Sequence, residues 1–178
     1  MKTYKMTIAG LQRELPIFSI GDNISIAAFI MFGDAELTVA AAAELLKKVP
    51  DFDYILTPEA KSIPLAHEMS RQSGKKYFVA RKGTKLYMGN PLSVSVKSIT
   101  TDRVQHLYLS EYEAEELKGK RVLIVDDVIS TGESLIAIKK LASEAGCQIA
   151  ASCSVLAEGD AANRDDIIFL EPLPLIKE

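Results

Sequence analysis

Residues 122–134 read Val122-Leu123-Ile124-Val125-Asp126-Asp127-Val128-Ile129-Ser130-Thr131-Gly132-Glu133-Ser134. The apolar run from Val122 to Val125, preceded by Arg121, has the length and branching of a fully buried strand. It ends on two adjacent carboxylates, Asp126 and Asp127. A hydroxyl-rich loop follows, and then a helix is expected from Gly132 to Ala145, stopped by Gly146. At such a junction the backbone N–H groups of Thr131, Gly132 and Glu133 lack helical acceptors, and the helix dipole favours an anion there. Ser130, Thr131 and Ser134 add hydroxyl donors, and Gly132 lets the backbone approach closely. The loop has no lysine and no Walker spacing, so it suits a phosphate monoester better than a triphosphate.

Two carboxylates do not attract a phosphate. They fit a ligand that carries vicinal hydroxyls, or a magnesium ion, beside its phosphate, and a ribose 5-phosphate meets both conditions. Two plainer readings stand beside this one. The first is a strand ending in solvated acids before a capped helix. The second is a response-regulator acid pair, which belongs after a first strand and not this deep in a chain.

Working outward, strand and helix alternate. Asp34 caps a helix from Ala35 to about Val49, ended by Pro50. Asp53–Thr57 reads as a short strand. Ser62 caps a helix from Ile63 to Gln72, with Gly74 as its stop. Lys76–Ala80 is a strand. Ser93–Val96 alternates and pairs in a hairpin with Gln105–Leu109. Ser110 and Glu113 form a capping box for a short helix ending at Gly119. Gln148–Leu156 and Ile167–Leu170 complete the strands, and the tail Glu171–Pro174 cannot be regular helix. The alternation predicts an α/β fold with a central, mostly parallel sheet flanked by helices. Ligands of such sheets bind beyond the carboxyl ends of the strands, at a switch in strand order. That directs attention to the loops after Thr57, Ala80 and Val125.

The 178 residues suit one domain, with about 1–33 as a small N-terminal region and 34–170 as the core. A formal net charge of −3 gives no reason to expect nucleic acid as a partner. The N-terminus lacks the apolar run of a signal peptide, and the longest apolar stretch, Ile24–Phe32, is too short to cross a bilayer. Cys147 and Cys153 are read as small hydrophobes on one strand of a reduced, cytoplasmic chain. His67 on a helix, His106 on a strand, and Phe18, Phe29 and Phe32 are read as packing residues before functional ones.

Residues 122–134 resemble the phosphoribosyl pyrophosphate motif of the type I phosphoribosyltransferases. The shared pattern is four hydrophobics, two acids, two hydrophobics, then a small residue before Thr-Gly. The likeness runs from about Asp53 to Leu156 and is greatest to adenine phosphoribosyltransferases. It implies the fold of that family, with the N-terminal region as a hood over the base and a mobile loop from Arg81 to Gln105 as a lid. It implies that Asp126 and Asp127 hold the ribose hydroxyls. The 5′-phosphate falls to Val128, Ile129, Ser130, Thr131, Gly132, Glu133 and Ser134. Asp126, Asp127 and Lys85 become the catalytic candidates. Magnesium comes bound through the substrate, near the two acids and not on a protein cage. A homodimer is implied as well.

A leaving pyrophosphate needs cations. From Met69 to Thr101 the chain has no acid, yet it carries Arg71, Lys75, Lys76, Arg81, Lys82, Lys85 and Lys97. Arg81, Lys82 and Lys85 stand where a strand meets a long loop, and Arg81-Lys82-Gly83-Thr84-Lys85-Leu86 resembles a stretch of the adenine enzymes. Glu59, Ala60, Lys61 and Ser62 occupy the place of the family's pyrophosphate loop, where the adenine enzymes have Glu-Ala-Arg-Gly. Lysine keeps the charge but loses arginine's planar fork. Three departures concern the base. Ser130 stands where oxopurine enzymes carry Asp. Ser25–Phe29 fails to match the adenine enzymes' Phe-Arg-Asp segment. The mobile loop has Tyr87 but no Glu. The implied reaction is transfer of phosphoribose to a purine, adenine first. The alternatives are a non-catalytic phosphoribosyl pyrophosphate sensor and an enzyme for another base.

Overall fold

The computed structural model describes residues 2–21, 23–97 and 104–177. The chain opens with three strands, β1 (Thr3–Ile8), β2 (Leu11–Gly21) and β3 (Ile24–Ala27). The alternation then runs α1 (Ala35–Lys48), β4 (Tyr54–Pro58), α2 (Ile63–Ser73) and β5 (Tyr77–Ala80). A hairpin, β6 (Leu92–Lys97) and β7 (Val104–Leu109), leads to α3 (Glu111–Leu117). The last elements are β8 (Arg121–Ile129), α4 (Glu133–Glu144), β9 (Gln148–Glu158), β10 (Ile168–Leu173) and β11 (Ile176–Lys177).

Five strands form the expected parallel sheet, in the order β10-β9-β8-β4-β5. The chain leaves β4 toward β5 on one side, while β8 on the other side leads away to β9 and β10. The switch in order therefore falls between β4 and β8, and the carboxyl ends of these strands mark the place where such sheets bind ligands. Both faces are covered. Leu123 and Val125 of β8 pack with α1 and α2, whereas Val122 and Ile124 pack with α4 and the hairpin. This two-sided burial explains why β8 reads as an unbroken apolar run instead of an alternating one.

Local chemistry sets the helix ends. The Asp34 side chain accepts from the Leu37 N–H at 3.0 Å, and Arg13 of β2 grips the same carboxylate at 2.7 and 3.0 Å. Such a cap contributes about 1 kcal/mol. Ser110 and Glu113 make the expected capping box. Gly74 ends α2 at φ 70°, in the left-handed conformation that glycine adopts without strain. The expected hairpin forms, with Ser93 opposite Tyr108 and Val96 opposite Gln105.

Several expectations need correcting. The N-terminal region contains a β1–β2 hairpin closed by Ala9 and Gly10, both at positive φ as a two-residue turn requires. Tyr4, Met6 and Ile8 of β1 turn toward the core. The tail forms no helix, as expected, but it is more regular than the last expected strand, Ile167–Leu170, implied: β10 runs on to Leu173, and β11 pairs antiparallel with β3 to complete a second sheet, β1-β2-β3-β11. Cys153 is buried on β9, but Cys147 sits in the turn before it, its N–H bonded to the Ala142 carbonyl. Both cysteines are free. Ser98–Arg103, part of the expected lid, lies outside the described residues. Among the described residues no helix is long and apolar enough to cross a membrane.

Candidate active site

β8 continues four residues beyond its expected end at Val125. Its neighbour β9 keeps supplying partners, with Asp126 opposite Ser154, Val128 opposite Leu156 and Ile129 opposite Ala157. Both acids therefore lie on strand backbone. Their alternation separates them: Asp127 is buried, at 2% exposure, and Asp126 is partly exposed. The Asp127 N–H donates to Oδ1 of Asp126 at 2.9 Å. Burial first, and then the charge of Asp127, raises the Asp126 carboxyl to about 7.

The loop after β8 is only Ser130, Thr131 and Gly132. Helix α4 starts at Glu133, one residue later than expected, with Gly132 as its N-cap at φ 83°. Glycine has no side chain to cap with, so no side chain caps the start of α4, where the helix dipole favours an anion. Ile129 and Gly132 are buried, Thr131 is exposed, and Ser130, Glu133 and Ser134 are intermediate.

The loop after β4 reaches the acids. Lys61 Nζ lies 3.0 Å from Asp127 Oδ2, an ion pair without hydrogen-bond alignment. Behind it, Thr57 Oγ1 sits 2.8 Å from both Ser62 Oγ and the Val125 carbonyl, which pins this loop to β8. Ser62 was expected to cap α2. Its hydroxyl instead donates to the Pro58 carbonyl at 3.2 Å and leaves the helix uncapped by a side chain. The Glu59–Ala60 peptide is cis.

Glu59 faces the third loop. Its Oε2 accepts from the Lys82 N–H at 2.8 Å, and Arg81 Nε lies 3.4 Å from Oε1. The Lys82 N–H, helped by the charge of Arg81, holds the Glu59 carboxyl below its usual range. An anionic side chain bonded in this way organises a loop and does not itself bind an anion. Arg81 is fixed further by backbone bonds to Tyr108, at 2.8 and 2.9 Å, and by Tyr87 Oη, 3.4 Å from Nη1. Lys82 and Lys85 are exposed. The three loops named from the sequence thus meet along one edge: Asp127 to Lys61, and Glu59 to Arg81 and Lys82.

One neighbour of the site was not foreseen. Arg164, in the segment after β9, places Nη1 2.6 Å from where a Cβ on Gly132 would stand. No sequence motif marks it. The two histidines have ordinary partners, His67 edge-on to Tyr77 and His106 beside the Ser95 hydroxyl at 2.8 Å. Phe29 is buried, while Phe18 and Phe32 are exposed. Among the described residues no cluster of three His, Cys, Asp or Glu side chains gathers around one point.

Comparison with known proteins identifies the family. Residues 32–173 match the family model of the phosphoribosyl transferase domain. A hypoxanthine/guanine phosphoribosyltransferase of Methanotorris igneus is 34% identical over 149 residues, 83% of this chain and 74% of that protein. One from Methanococcus voltae is 38% identical over 114 residues, 64% of this chain and 57% of that protein. The chain thus spans little more than half of the latter's length. Among solved structures, adenine phosphoribosyltransferase of Thermoanaerobacter pseudethanolicus superposes with a TM-score of 0.71 at 22% identity, covering 89% of this chain and 95% of that one. The enzyme of that name from Saccharomyces cerevisiae gives 0.64 at 17% identity, over 95% and 92%. By its matched domain, its relatives and its fold, the chain belongs to the type I phosphoribosyltransferase family.

Proposed function

We propose that this chain transfers phosphoribose from phosphoribosyl pyrophosphate to a purine base, giving a nucleoside monophosphate and pyrophosphate. The observation that carries the proposal is the pairing of Asp126 and Asp127 with an uncapped helix N-terminus across a three-residue loop, at the switch point of the sheet. The acids accept from the ribose 2′- and 3′-hydroxyls. Ser130, Thr131, Ser134 and the backbone N–H groups of Gly132 and Glu133 take the 5′-phosphate, with Val128 and Ile129 shaping the wall.

The bond from ribose C1 to pyrophosphate breaks as a bond from C1 to a base nitrogen forms. Positive charge grows on the sugar and negative charge on the leaving group. Lys61, Arg81, Lys82 and Lys85 stand on the two loops that face the latter, where fixed cations stabilise it. Glu59, Ala60 and Ser62 shape the first of these loops. Magnesium fits the donor set, because two carboxylates at a strand end offer hard oxygens to an ion whose other ligands are phosphate oxygens and water. When bound, it neutralises the pyrophosphate. The second sheet, β1-β2-β3-β11, serves as the hood over the base, and the active form is a homodimer.

Two observations bear on the base. Ser130 replaces the acid of oxopurine enzymes, which supports adenine. The second reading, hypoxanthine or guanine, is supported by the names of the relatives at 34–38% identity. Steady-state turnover with adenine, hypoxanthine, guanine and xanthine separates them. Preference for adenine upholds the first reading and preference for an oxopurine upholds the second. No turnover with any base, together with intact phosphoribosyl pyrophosphate binding, marks a sensor.

A further inference from the structure

The loop from Ser130 to Gly132 contains no cation, yet a phosphate carries up to two negative charges. Arg164 supplies what the loop lacks. It follows the short 3-10 turn Gly159–Asn163, which β9 delivers to the same sheet edge as the end of β8. Its guanidinium is not a loose surface group. Nε and Nη2 donate to the two oxygens of Asp166, both at 2.8 Å, and Lys139 of α4 lies 3.3 Å from the same carboxylate. This two-point bond fixes the plane of the guanidinium. Nη1, in the same plane, takes no part in that bond and stands beside Gly132.

The contact explains the glycine twice over. The left-handed φ of 83° disfavours a side chain, and the room a Cβ would need is taken by Nη1. A glycine enforced by a charged group, inside an anion-binding loop, indicates that the group shares the loop's ligand. Arginine suits the task, because its planar fork matches phosphate oxygens.

We infer that Arg164 is the fixed cation of the phosphate loop, donating from Nη1 to the 5′-phosphate and held in place by Asp166. This rests on the phosphoribosyl reading of the site and adds to it a residue outside the motif. Asp166 acts through Arg164 and is a positioning residue.

The test is calorimetric titration of ribose 5-phosphate, and separately of pyrophosphate, into the full chain and into Arg164→Met, Arg164→Lys and Asp166→Asn. Loss of a hydrogen bond to a charged group predicts about a 10- to 100-fold weaker affinity for ribose 5-phosphate in Arg164→Met. Pyrophosphate affinity is expected to stay within about twofold, because the residue lies away from the pyrophosphate loops. Arg164→Lys recovers part of the loss, and Asp166→Asn loses less than Arg164→Met. The wild type favours the dianion of ribose 5-phosphate, so its affinity rises between pH 5.5 and 7.5 more steeply than that of Arg164→Met, a difference a purely structural role would not produce. Unchanged ribose 5-phosphate affinity in Arg164→Met overturns the inference and leaves the phosphoribosyl reading standing. Equal losses for both ligands also overturn it, because they signal a general loosening of the site. Failure of the wild type to bind ribose 5-phosphate overturns both.

Discussion

The ammonium of Lys61 lies 3.0 Å from Oδ2 of Asp127, joining the loop after β4 to the end of β8 across the switch point of the sheet. The two partners are unequal. Lys61 is more than half exposed, whereas Asp127 is buried. A buried carboxylate without a counter-charge is costly, so the lysine matters more to Asp127 than the reverse. In the proposed site the same lysine also meets the pyrophosphate, so that one side chain would couple the two halves of the substrate site.

Removing that charge tests the coupling. Lys61→Met is expected to lower stability by about 1–2 kcal/mol, less than for a fully buried pair because water screens the lysine. Lys61→Arg is expected to keep most of it. Urea unfolding midpoints at pH 7.5 measure both, and an unchanged midpoint in Lys61→Met would mean that the ion pair contributes nothing.

Asp126 gives a pH-dependent prediction. Burial and the neighbouring Asp127 raise its carboxyl from 3.8 to about 7. A raised folded value contributes stability that is fully present below the unfolded value near 3.8 and is lost as pH rises through about 7. Asp126→Asn keeps the shape and an oxygen for the Asp127 N–H but carries no charge. It is expected to be more stable than the wild type above pH 7 by roughly 1 kcal/mol or more, with the gap closing toward pH 4. Thermal unfolding across pH 4–8.5 decides the matter; a constant difference would contradict the assignment.

At Gly132, valine meets both a left-handed φ and the Arg164 guanidinium. Gly132→Val is expected to lose about 1–3 kcal/mol of stability and at least about tenfold in affinity for ribose 5-phosphate, with far-ultraviolet circular dichroism close to wild type. Wild-type affinity in this variant would show that the loop is not the phosphate site.

Arg81, Lys82 and Lys85 are assigned to pyrophosphate. Alanine at Lys82 or Lys85 is expected to lower turnover by about 100- to 1000-fold, the range for losing one group that stabilises developing charge. Affinity for the nucleotide product, which has no pyrophosphate, should change little. Equal losses in both measurements would point to a folding defect. Arg81 is less clean, because its side chain also meets Glu59 and Tyr87.

Much of this organisation was legible in the sequence because it is local. The apolar run of β8, the Asp34 cap, the Ser110–Glu113 box and the stop at Gly74 each depend on residues a few positions apart. The short hydroxyl-rich turn from β8 into α4 at Ser130–Ser134 was legible for the same reason. What escaped depends on distant partners. Acids have little preference for strands, so β8 was expected to end at Val125, yet β9 extends the ladder through Asp126 to Ile129. The β1–β2 turn, Ala9-Gly10, lacks the usual Asn-Gly signal. The two residues of β11 become a strand only because β3 is there to pair with them. Ser62 looked like a cap and serves instead as a tie between Pro58 and Thr57. Arg164 lies outside any pattern, and only the fold brings it to Gly132.

The measurement that bears most directly on the central claim is calorimetric titration of phosphoribosyl pyrophosphate, with magnesium, into the wild type, Asp126→Ala and Asp127→Ala. The wild type is expected to bind one equivalent. Each variant is expected to bind more weakly by about 1.5–3 kcal/mol, the contribution of hydrogen bonds to a charged group, while remaining folded by circular dichroism. Wild-type affinity retained in both variants, or no binding by the wild type, would contradict the placement of phosphoribosyl pyrophosphate at the end of β8.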